Sequence, residues 1–382
     1  MYIVHGNIMT MEGQDFPDGF LEIKDGKIAS LGNMRDCKNP DGEVLDVQGN
    51  LVMPGIIEAH CHMGITEEKK GMEGDDCNEN VDPITPYLRA IDAINPMDAA
   101  FKDALKAGIT SAMIGPGSAN VVGGQFAFVK THGRCIDKMI VKAPAAMKIA
   151  FGENPKVNYS GQSTSPSTRM AIAAMLREEL TKAEAYMEKR EKEDGPVDFR
   201  YECWLPVLRG EIPLKAHVHR ADDILTAVRI AKEFHLRMTL DHCSEGHLIM
   251  EELKEAGFPA IVGPDMASRN KIEVQNMAFK TAGLLSGHGI LCAITTDHPV
   301  SKIQFLPICA GLAVKEGMTV LEGLRAITIN AAKICGVADR VGSLAVGKDA
   351  DIAVFTKNPM EVFSETLYTL IDGEIVYTSK ET

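Results

Sequence analysis

The sequence is poor in several features, and each shortage excludes a class of protein. It has one Trp and 5% aromatic residues, and its nine cysteines form no Cys-x-x-Cys pair. Scattered cysteines in a chain of 382 residues, which is long enough to build a hydrophobic core, do not indicate a disulfide scaffold. We therefore interpret them as reduced, mostly buried thiols and predict a cytoplasmic protein.

Long apolar runs are also missing. A membrane-spanning helix needs about 18 or more uninterrupted apolar residues, and the sequence has no such stretch. The first residues, MYIVHGNIMTMEGQDF, have no basic region that leads into an apolar one, so we predict no signal peptide. The expectation is a soluble protein that does not bind membranes.

Positive charge is in deficit. The chain has 40 Lys and Arg against 53 Asp and Glu, which gives a formal net charge of -13. A chain with this balance repels a phosphate backbone and an anionic membrane surface. We therefore do not expect nucleic acid as a partner.

Short, alternating apolar runs mark both ends of the chain. FLEIKDGKIASLG and TLIDGEIVYTS each contain an Asp-Gly turn between two such runs, which is a hairpin signal. Two β-rich ends of this size cannot each bury a core alone. We predict that residues 1–54 and 343–382 pair into one small β domain.

Between these ends, apolar runs alternate with helical patterns, which indicates βα units around a parallel sheet. Helical spacing covers 167–195, 221–234 and 320–336. The eight candidate strands are 55–62, 108–115, 124–130, 145–153, 213–219, 237–243, 259–263 and 290–297. Eight such units over residues 55–342 predict an α/β fold, a (β/α)8 TIM barrel.

One polar, acidic segment, residues 63–86, has no periodicity. It follows the first barrel strand, where a long loop can cover an active site. Two interpretations stay open: an active-site lid, and disorder with no functional meaning.

Histidines at the strand ends carry the chemistry. His60 and His62 end the first strand, and period-2 alternation points both imidazoles to one side. Other strand ends contribute His217 and His219, His242 and Asp297. Barrel active sites gather at the carboxyl ends of the strands, so these side chains are expected to converge. Nitrogen ligands with a carboxylate suit Zn first, with Fe, Mn, Co or Ni as alternatives.

At this point the sequence resembles the amidohydrolase superfamily, in the branch of imidazolonepropionases and related peptide and cyclic-amide hydrolases. The motifs are PGIIEAHCH, the strand-end histidines and aspartate, GSLAVGKDADIAVF and DGEIVY, and they span nearly the whole chain. The resemblance implies that the two ends form a β-sandwich beside the barrel. It implies one or two metal ions, with the ligands His60, His62, His217, His242 and Asp297.

The resemblance leaves two ligand positions ambiguous. On the fifth strand His217 aligns better than His219, so His219 becomes a candidate for substrate contact. On the fourth strand many relatives carry a carboxylated Lys that bridges two metals, and some carry Glu. We assign that role to Glu153, with Lys148, which lies deeper in the strand, as the alternative.

Further residues are weaker candidates for substrate binding. Arg220 follows a ligand strand and could clamp a substrate carboxylate, although an ion pair with Asp222, Asp223 or an acidic residue of the lid is the commoner outcome. Arg269 has the same two interpretations, and His298 is a candidate because it neighbours Asp297. Gly123, Gly124 and Gln125 could present backbone donors, but paired glycines are more often a turn.

The mechanism implied is hydrolysis of an amide-type C–N bond by metal-activated water. Asp297 would accept the proton of the water and pass it to the leaving nitrogen. The substrate would be a small molecule: a cyclic amide, an N-acyl amino acid or a dipeptide. Relatives are often dimers or larger, which implies a homo-oligomer.

Two alternatives remain. Superfamily deaminases carry a Glu three residues after the fifth-strand His, whereas this chain has Arg220, so a deaminase is disfavoured. The other alternative is an inactive barrel that serves as a scaffold or binding protein. Relatives of that kind generally lose the His-x-His pair or the eighth-strand Asp, and this chain keeps both.

Overall fold

The structure is a computed structural model that describes residues 1–38, 42–69, 71–192 and 195–381. In these ranges the strands form two sheets of eight strands each. None of the helices described is long and apolar enough to cross a membrane.

The barrel sheet contains all eight predicted strands, within a few residues of their predicted bounds. In chain order they are β6 (Ile56–Cys61), β7 (Ile109–Ile114), β8 (Val122–Lys130), β9 (Ile140–Ala150), β10 (Leu214–Val218), β11 (Met238–His242), β12 (Ala260–Val262) and β13 (Cys292–Ile294). Spatial order follows chain order from β6 to β13. The sheet is thus a nearly closed barrel, consistent with the TIM-barrel prediction.

One strand departs from the predicted βα alternation. β8 pairs antiparallel with both β7 and β9, whereas the other pairs in this sheet are parallel. The chain turns directly from β7 into β8 without a crossover helix. The prediction of eight parallel βα units is therefore wrong at its third strand.

The gap between β6 and β13 is bridged by a buried side chain. The Glu58 carboxylate on β6 accepts hydrogen bonds from the Thr295 hydroxyl at 2.6 Å and from the Thr296 N–H at 2.9 Å. These threonines follow β13 directly. Burial raises the pKa of Glu58 to about 7, against the lowering effect of these hydrogen bonds.

The second sheet draws its strands from both chain ends. They are β1 (Tyr2–Ile8), β2 (Phe16–Lys24), β3 (Lys27–Asn33), β4 (Val44–Asp46), β5 (Leu51–Pro54), β14 (Ile352–Phe355), β15 (Thr366–Ile371) and β16 (Glu374–Thr378). The ends meet where β14 pairs antiparallel with β5. All eight strands belong to one hydrogen-bonded sheet, so the predicted β-sandwich is not confirmed.

The two faces of the β5–β14 pair bury different cores. Val52 and Val354 belong to the core of the second sheet. Leu51 and Phe355 belong to the core around the barrel. Because side chains alternate along a strand, one face of this pair packs against the barrel and the other packs within the second sheet's own core.

The helices mostly lie outside the barrel and connect its strands. The predicted helix over 167–195 is present as Arg169–Lys192, and the one over 221–234 as Ala221–Glu233. The third prediction, 320–336, is two helices, Val320–Ala326 and Ile329–Cys335. The described residues form the helices α1 (Ala99–Lys106), α2 (Ile136–Met139), α3 (Glu153–Gly161), α4 (Arg169–Lys192), α5 (Phe199–Glu202), α6 (Leu205–Leu208), α7 (Ala221–Glu233), α8 (Met250–Ala256), α9 (Lys280–Gly287), α10 (Leu306–Lys315), α11 (Val320–Ala326) and α12 (Ile329–Cys335).

Candidate metal centre

The first group of candidate ligands joins the two ends of the barrel sheet. His60 lies on β6, His62 directly after it, and Asp297 three residues beyond β13. The Asp297 Oδ1 atom is 3.2 Å from His62 Nε2 and 3.6 Å from His60 Nε2. Ligand atoms of these three buried residues lie within 4.8 Å of one another. Together they could hold a divalent cation.

The second group lies on β10 and β11. His217, His219 and His242 also present nitrogen atoms within 4.8 Å of one another. The two β10 histidines face the same side because they are two residues apart on a strand. The sequence left open which of His217 and His219 is the ligand, and in the structure both imidazoles lie in the cluster.

The Nδ1 atoms of four histidines are occupied outside the cluster. His62 Nδ1 lies 2.7 Å from Gly115 O, and His242 Nδ1 lies 2.8 Å from Gly263 O. His219 Nδ1 lies 2.8 Å from Ser244 Oγ, and His60 Nδ1 lies 2.8 Å from Asp241 Oδ2, a close contact without the geometry of a hydrogen bond. Such partners fix ring orientation and leave Nε2 available for a metal.

Burial keeps most of these imidazoles neutral, the form that binds metals. It lowers the pKa of His60, His217 and His242 well below the ordinary value. His62 differs: burial lowers its pKa, but neighbouring Cys77 and Asp297 outweigh that effect and raise it to about 10.

The backbone is strained where two ligands leave their strands. His242 has φ 73° and Asp297 has φ 52°, in the left-handed region. Residues other than glycine held there cost about 1–3 kcal/mol each and concentrate at functional sites. This strain is consistent with a functional requirement that the His242 and Asp297 side chains point in a fixed direction.

The fit to a metal is supported by buried atoms that lack partners. Asp297 Oδ1 is buried without a hydrogen-bond partner among the residues the structure describes, and so is Glu273 Oε1. A buried carboxylate oxygen in that state is costly unless a cation or donor binds it. Imidazole nitrogens with carboxylate oxygens are ligands that suit Zn.

The fourth strand presents its lysine to this cluster. Lys148 Nζ lies 3.4 Å from His60 Nε2, and the side chain is fully buried. Burial lowers the pKa of Lys148 to about 8, against the raising effect of Asp241 and Asp297. Glu153 is at the first position of α3, is partly exposed, and belongs to neither ligand group. The geometry thus favours Lys148, the alternative, over Glu153.

Sequence reasoning missed several buried charged residues around the centre. Asp241 contacts His60 Nδ1 and also Lys215 Nζ, at 3.2 Å. Lys215 and Glu58 interrupt apolar strands, and Glu58 shares its side of β6 with His60 by period-2 alternation. An ionisable residue inside an apolar strand was the signal that could have found them.

Two predicted substrate-binding residues are held elsewhere. The Arg220 guanidinium donates to both carboxylate oxygens of Asp222 at 2.9 Å, which is the commoner outcome for such an Arg. His298 Nδ1 accepts the Ile303 N–H at 3.2 Å, and its ring is fully buried. Neither residue lines the cavity at the metal centre. The geometry gives no support to substrate contacts from either.

The two remaining candidates also have structural partners. Arg269 Nη2 donates to Met277 O at 2.8 Å. Gly124 has φ 122°, and a Cβ there would lie 2.5 Å from Leu88 O, so this close approach requires glycine. The Gly-Gly pair therefore belongs to strand β8 rather than to a turn that faces substrate.

A cavity of about 460 Å³ opens on the centre. Its lining includes His62, His217, His219, Glu273 and Asp297. The segment 63–86 contributes Cys77 and Asn78 to the lining. It is tied to the barrel by hydrogen bonds from the Asn120 amide to Glu79 O at 2.6 Å and Asp82 O at 2.7 Å.

Histidines and an aspartate at the carboxyl-end mouth of a barrel are typical of metal-dependent barrel enzymes. The sequence model of the Amidohydrolase family matches residues 51–376, which is most of the chain. This protein belongs to the Amidohydrolase family. The prediction of the superfamily is confirmed.

Individual relatives agree with this assignment. A crystal structure of an amidohydrolase from Thermotoga maritima MSB8 has a TM-score of 0.95 and 38% identity, and the match covers 99% of each chain. Amidohydrolase tasK of Hapsidospora irregularis is 29% identical over 93% of this chain, but this chain spans only 39% of that protein. Imidazolonepropionase of Sphingopyxis alaskensis is 23% identical, with 92% of this chain and 90% of the relative covered. The branch that includes imidazolonepropionases is therefore supported.

Proposed function

We propose that this protein is a metal-dependent hydrolase that cleaves an amide-type C–N bond in a small molecule. One observation carries the proposal: two groups of ligands lie at one barrel mouth, and the Asp297 Oδ1 atom between His60 and His62 is buried without a hydrogen-bond partner among the described residues. Membership of the Amidohydrolase family supports the same reaction class.

The residues that would hold metal are His60, His62, His217, His242 and Asp297. Zinc is the first expectation, with one or two ions, and Fe, Mn, Co or Ni are the alternatives. When bound, such an ion lowers the pKa of water to about 7 and polarises a carbonyl group. For the fourth-strand position we now propose Lys148 in place of Glu153, because Lys148 Nζ is beside His60.

The chain itself supplies proton transfer and orientation. Asp297 accepts the proton of the attacking water at its carboxylate and returns it to the leaving nitrogen, so that one group is base and then acid. His219, whose ring lines the cavity, contacts the substrate. Residues 63–86 act as the lid that limits water in the cavity.

The substrate class is a cyclic amide, an N-acyl amino acid or a dipeptide. A cavity of about 460 Å³ is in the range of small-molecule sites. A homo-oligomer, a cytoplasmic location and a domain division into 1–54 with 343–382 and 55–342 remain predictions. No observation favours the deaminase or scaffold alternatives, and Arg220, at the position of the deaminase Glu, pairs with Asp222.

A panel of cyclic amides, N-acyl amino acids and dipeptides, incubated with zinc-loaded and manganese-loaded protein, tests the proposal. We expect hydrolysis in one of the three classes, detected as release of the amine or ring-opened acid. Protein that binds no metal under any loading condition would contradict the proposal. Metal-loaded protein that releases ammonia from an aminated ring would favour the deaminase instead.

A further inference from the structure

One buried glutamate that lines the cavity plays no part in the mechanism above. Glu273 lies in the short 3-10 helix Ile272–Val274, in the segment that follows β12. Its side chain is only 2% exposed, and its Oε2 atom accepts the Glu153 N–H at 2.8 Å. Its Oε1 atom has no hydrogen-bond partner in the described part of the chain. One carboxylate oxygen is therefore anchored, and the other is available to a molecule in the cavity.

Neighbouring groups of the protein compensate this oxygen only in part. Lys271 Nζ lies 3.8 Å from Glu273 Oε1, but it donates a hydrogen bond to the Asn154 side-chain oxygen instead. The Lys271 side chain is 38% exposed, so solvent screens its charge. The His219 imidazole carries no compensating charge, because burial lowers its pKa to about 3. A buried carboxylate without a bonded partner is costly, and a positively charged donor would relieve that cost.

His219 offers a second acceptor beside the first. Its Nδ1 atom lies 2.8 Å from Ser244 Oγ, and we assign the ring proton to that nitrogen, which leaves Nε2 as an acceptor. This Nε2 atom and Glu273 Oε1 are 4.0 Å apart, too far for a hydrogen bond between them. A nitrogen about 2.9 Å from each would form two hydrogen bonds at about 90° to one another. An ammonium group, which has three N–H donors and a positive charge, fits this pair of acceptors.

The position of these acceptors relates the ammonium group to the bond that is cleaved. Glu273 Oε1 lies 3.9 Å from Nε2 of His217, one of the proposed metal ligands, so a donor bound to it is close to the reacting atoms. In an aminoacyl group the α-nitrogen is about 2.5 Å from the carbonyl carbon, with one Cα between them. A protonated amine this close to a metal cation needs a counter-charge, and the Glu273 carboxylate supplies one.

We propose that Glu273 Oε1 and His219 Nε2 bind the protonated α-amino group of the substrate. The inference rests on the proposed function and narrows its substrate class. A dipeptide with a free amino terminus carries such a group beside the scissile carbonyl, whereas an N-acyl amino acid or a simple cyclic amide has none there. Glu273 is then a residue that determines specificity, and the backbone N–H of Glu153 holds its Oε2 atom in place.

Pairs of substrates that differ only in this amine test the proposal on the full-length, metal-loaded protein. Glycyl and acetyl derivatives of the same amino acid, such as glycyl-leucine and N-acetyl-leucine, release the same product, and only the glycyl compound carries the α-amine. A set of several amino acids covers different preferences for the leaving group. We expect the parent to have a kcat/KM at least about 10-fold higher for the glycyl compounds, which is the low end of what a charge-assisted hydrogen bond contributes.

Glu273→Gln keeps an oxygen for the Glu153 N–H and removes the negative charge. It should lower the glycyl-to-acetyl ratio of kcat/KM at least about 10-fold, and elemental analysis should find the metal content of the parent. Partial loss of fold or of metal lowers both kcat/KM values together, so the ratio reports on recognition of the amine alone. Glu153→Gln is the matched control, because it changes a neighbouring, partly exposed side chain, and it should keep the parental ratio.

The outcomes separate this inference from the function on which it rests. His219→Phe keeps a flat ring but removes the acceptor, so it should also lower the ratio and serves if Glu273→Gln does not fold. A parent that cleaves acetyl compounds as fast as glycyl compounds, or cleaves only cyclic amides, would overturn the inference and leave the hydrolase proposal intact. The parental ratio in both variants would do the same. Protein that cleaves neither series and no cyclic amide would overturn both proposals.

Discussion

Two buried clusters of charged residues, at opposite ends of the barrel, differ in how completely they are paired. At the mouth, Asp297 Oδ1 and Glu273 Oε1 have no hydrogen-bond partner in the part of the chain that the structure describes. At the other end, Lys130 Nζ contacts Asp349 at 2.9 Å, Asp351 at 2.5 Å and Asp372 at 3.5 Å. In the paired cluster the loss of one charge leaves its partner buried and uncompensated, whereas buried carboxylate oxygens without hydrogen bonds are able to bind a ligand.

The antiparallel strand explains how Lys130 reaches the lower cluster. β8 runs against its neighbours, so its last residue, Lys130, pairs with Ser111 near the start of β7. The aspartates come from the C-terminal part of the chain, around β14 and β15. Burial lowers the pKa of Lys130, but Asp351 and the other aspartates outweigh it and raise the pKa. The same departure from βα alternation therefore joins the second sheet to the barrel.

Metal removal should separate the two clusters most strongly. We expect chelation to abolish turnover. Re-addition of Zn²⁺ at about 1,000 times its Kd should restore it and stabilise the fold by about 4 kcal/mol. Calorimetry of the stripped and reloaded protein measures the second effect. An unchanged melting temperature together with full activity after stripping would remove the distinction between the clusters.

Lys130→Met tests the paired cluster. Removing one partner of a buried ionic group costs about 3–5 kcal/mol, because Asp351 is left buried without its cation. Urea unfolding measures the loss, and metal content should not change. The matched control is Lys27→Met, which removes a half-exposed partner of Asp349 and should cost less than about 1 kcal/mol. Equal effects of the two variants would contradict this account.

Asp297→Asn tests the unpaired cluster. The variant keeps shape but cannot take up a proton, so turnover should fall at least about 100-fold, which is about 2.7 kcal/mol. The melting temperature should hardly change, and the four histidine ligands should retain metal. Steady-state kinetics and elemental analysis on one preparation measure both. Activity within a few-fold of the parent would move the proton transfer to another group, and loss of all metal would make Asp297 chiefly a ligand.

Arg220→Met should have the smallest effect. Its partly exposed ion pair with Asp222 is worth at most about 1 kcal/mol, and the side chain does not line the cavity. We expect KM to change less than about 3-fold, even for acidic substrates, and metal content to be unchanged. A KM raised about 10-fold or more would restore the interpretation that Arg220 clamps a substrate carboxylate.

The sequence by itself determined the residues that come together at the mouth. His60, His217 and His242 lie on strands whose apolar runs were visible, and the alternation of a strand decides which side a residue faces. Because neighbouring strands of a barrel open their carboxyl ends at one place, the position in the strand was enough to predict convergence. Lys148 and Glu153 were both recognised, but position in the strand ranked Glu153 first, whereas it is Lys148 that lies beside His60.

Only the tertiary structure decided what each of those residues touches. Glu273 lies in a segment without periodicity, and its anchor, the Glu153 N–H, is 120 residues away in the chain. The antiparallel direction of β8 was hidden because an apolar run reads the same in both directions. The partner of Arg220 at the surface, Asp222, and that of Lys148 in the core, His60, depend on side-chain geometry that the sequence does not show. Local patterns specify periodicity and burial, whereas contacts between distant loops depend on how the whole chain packs.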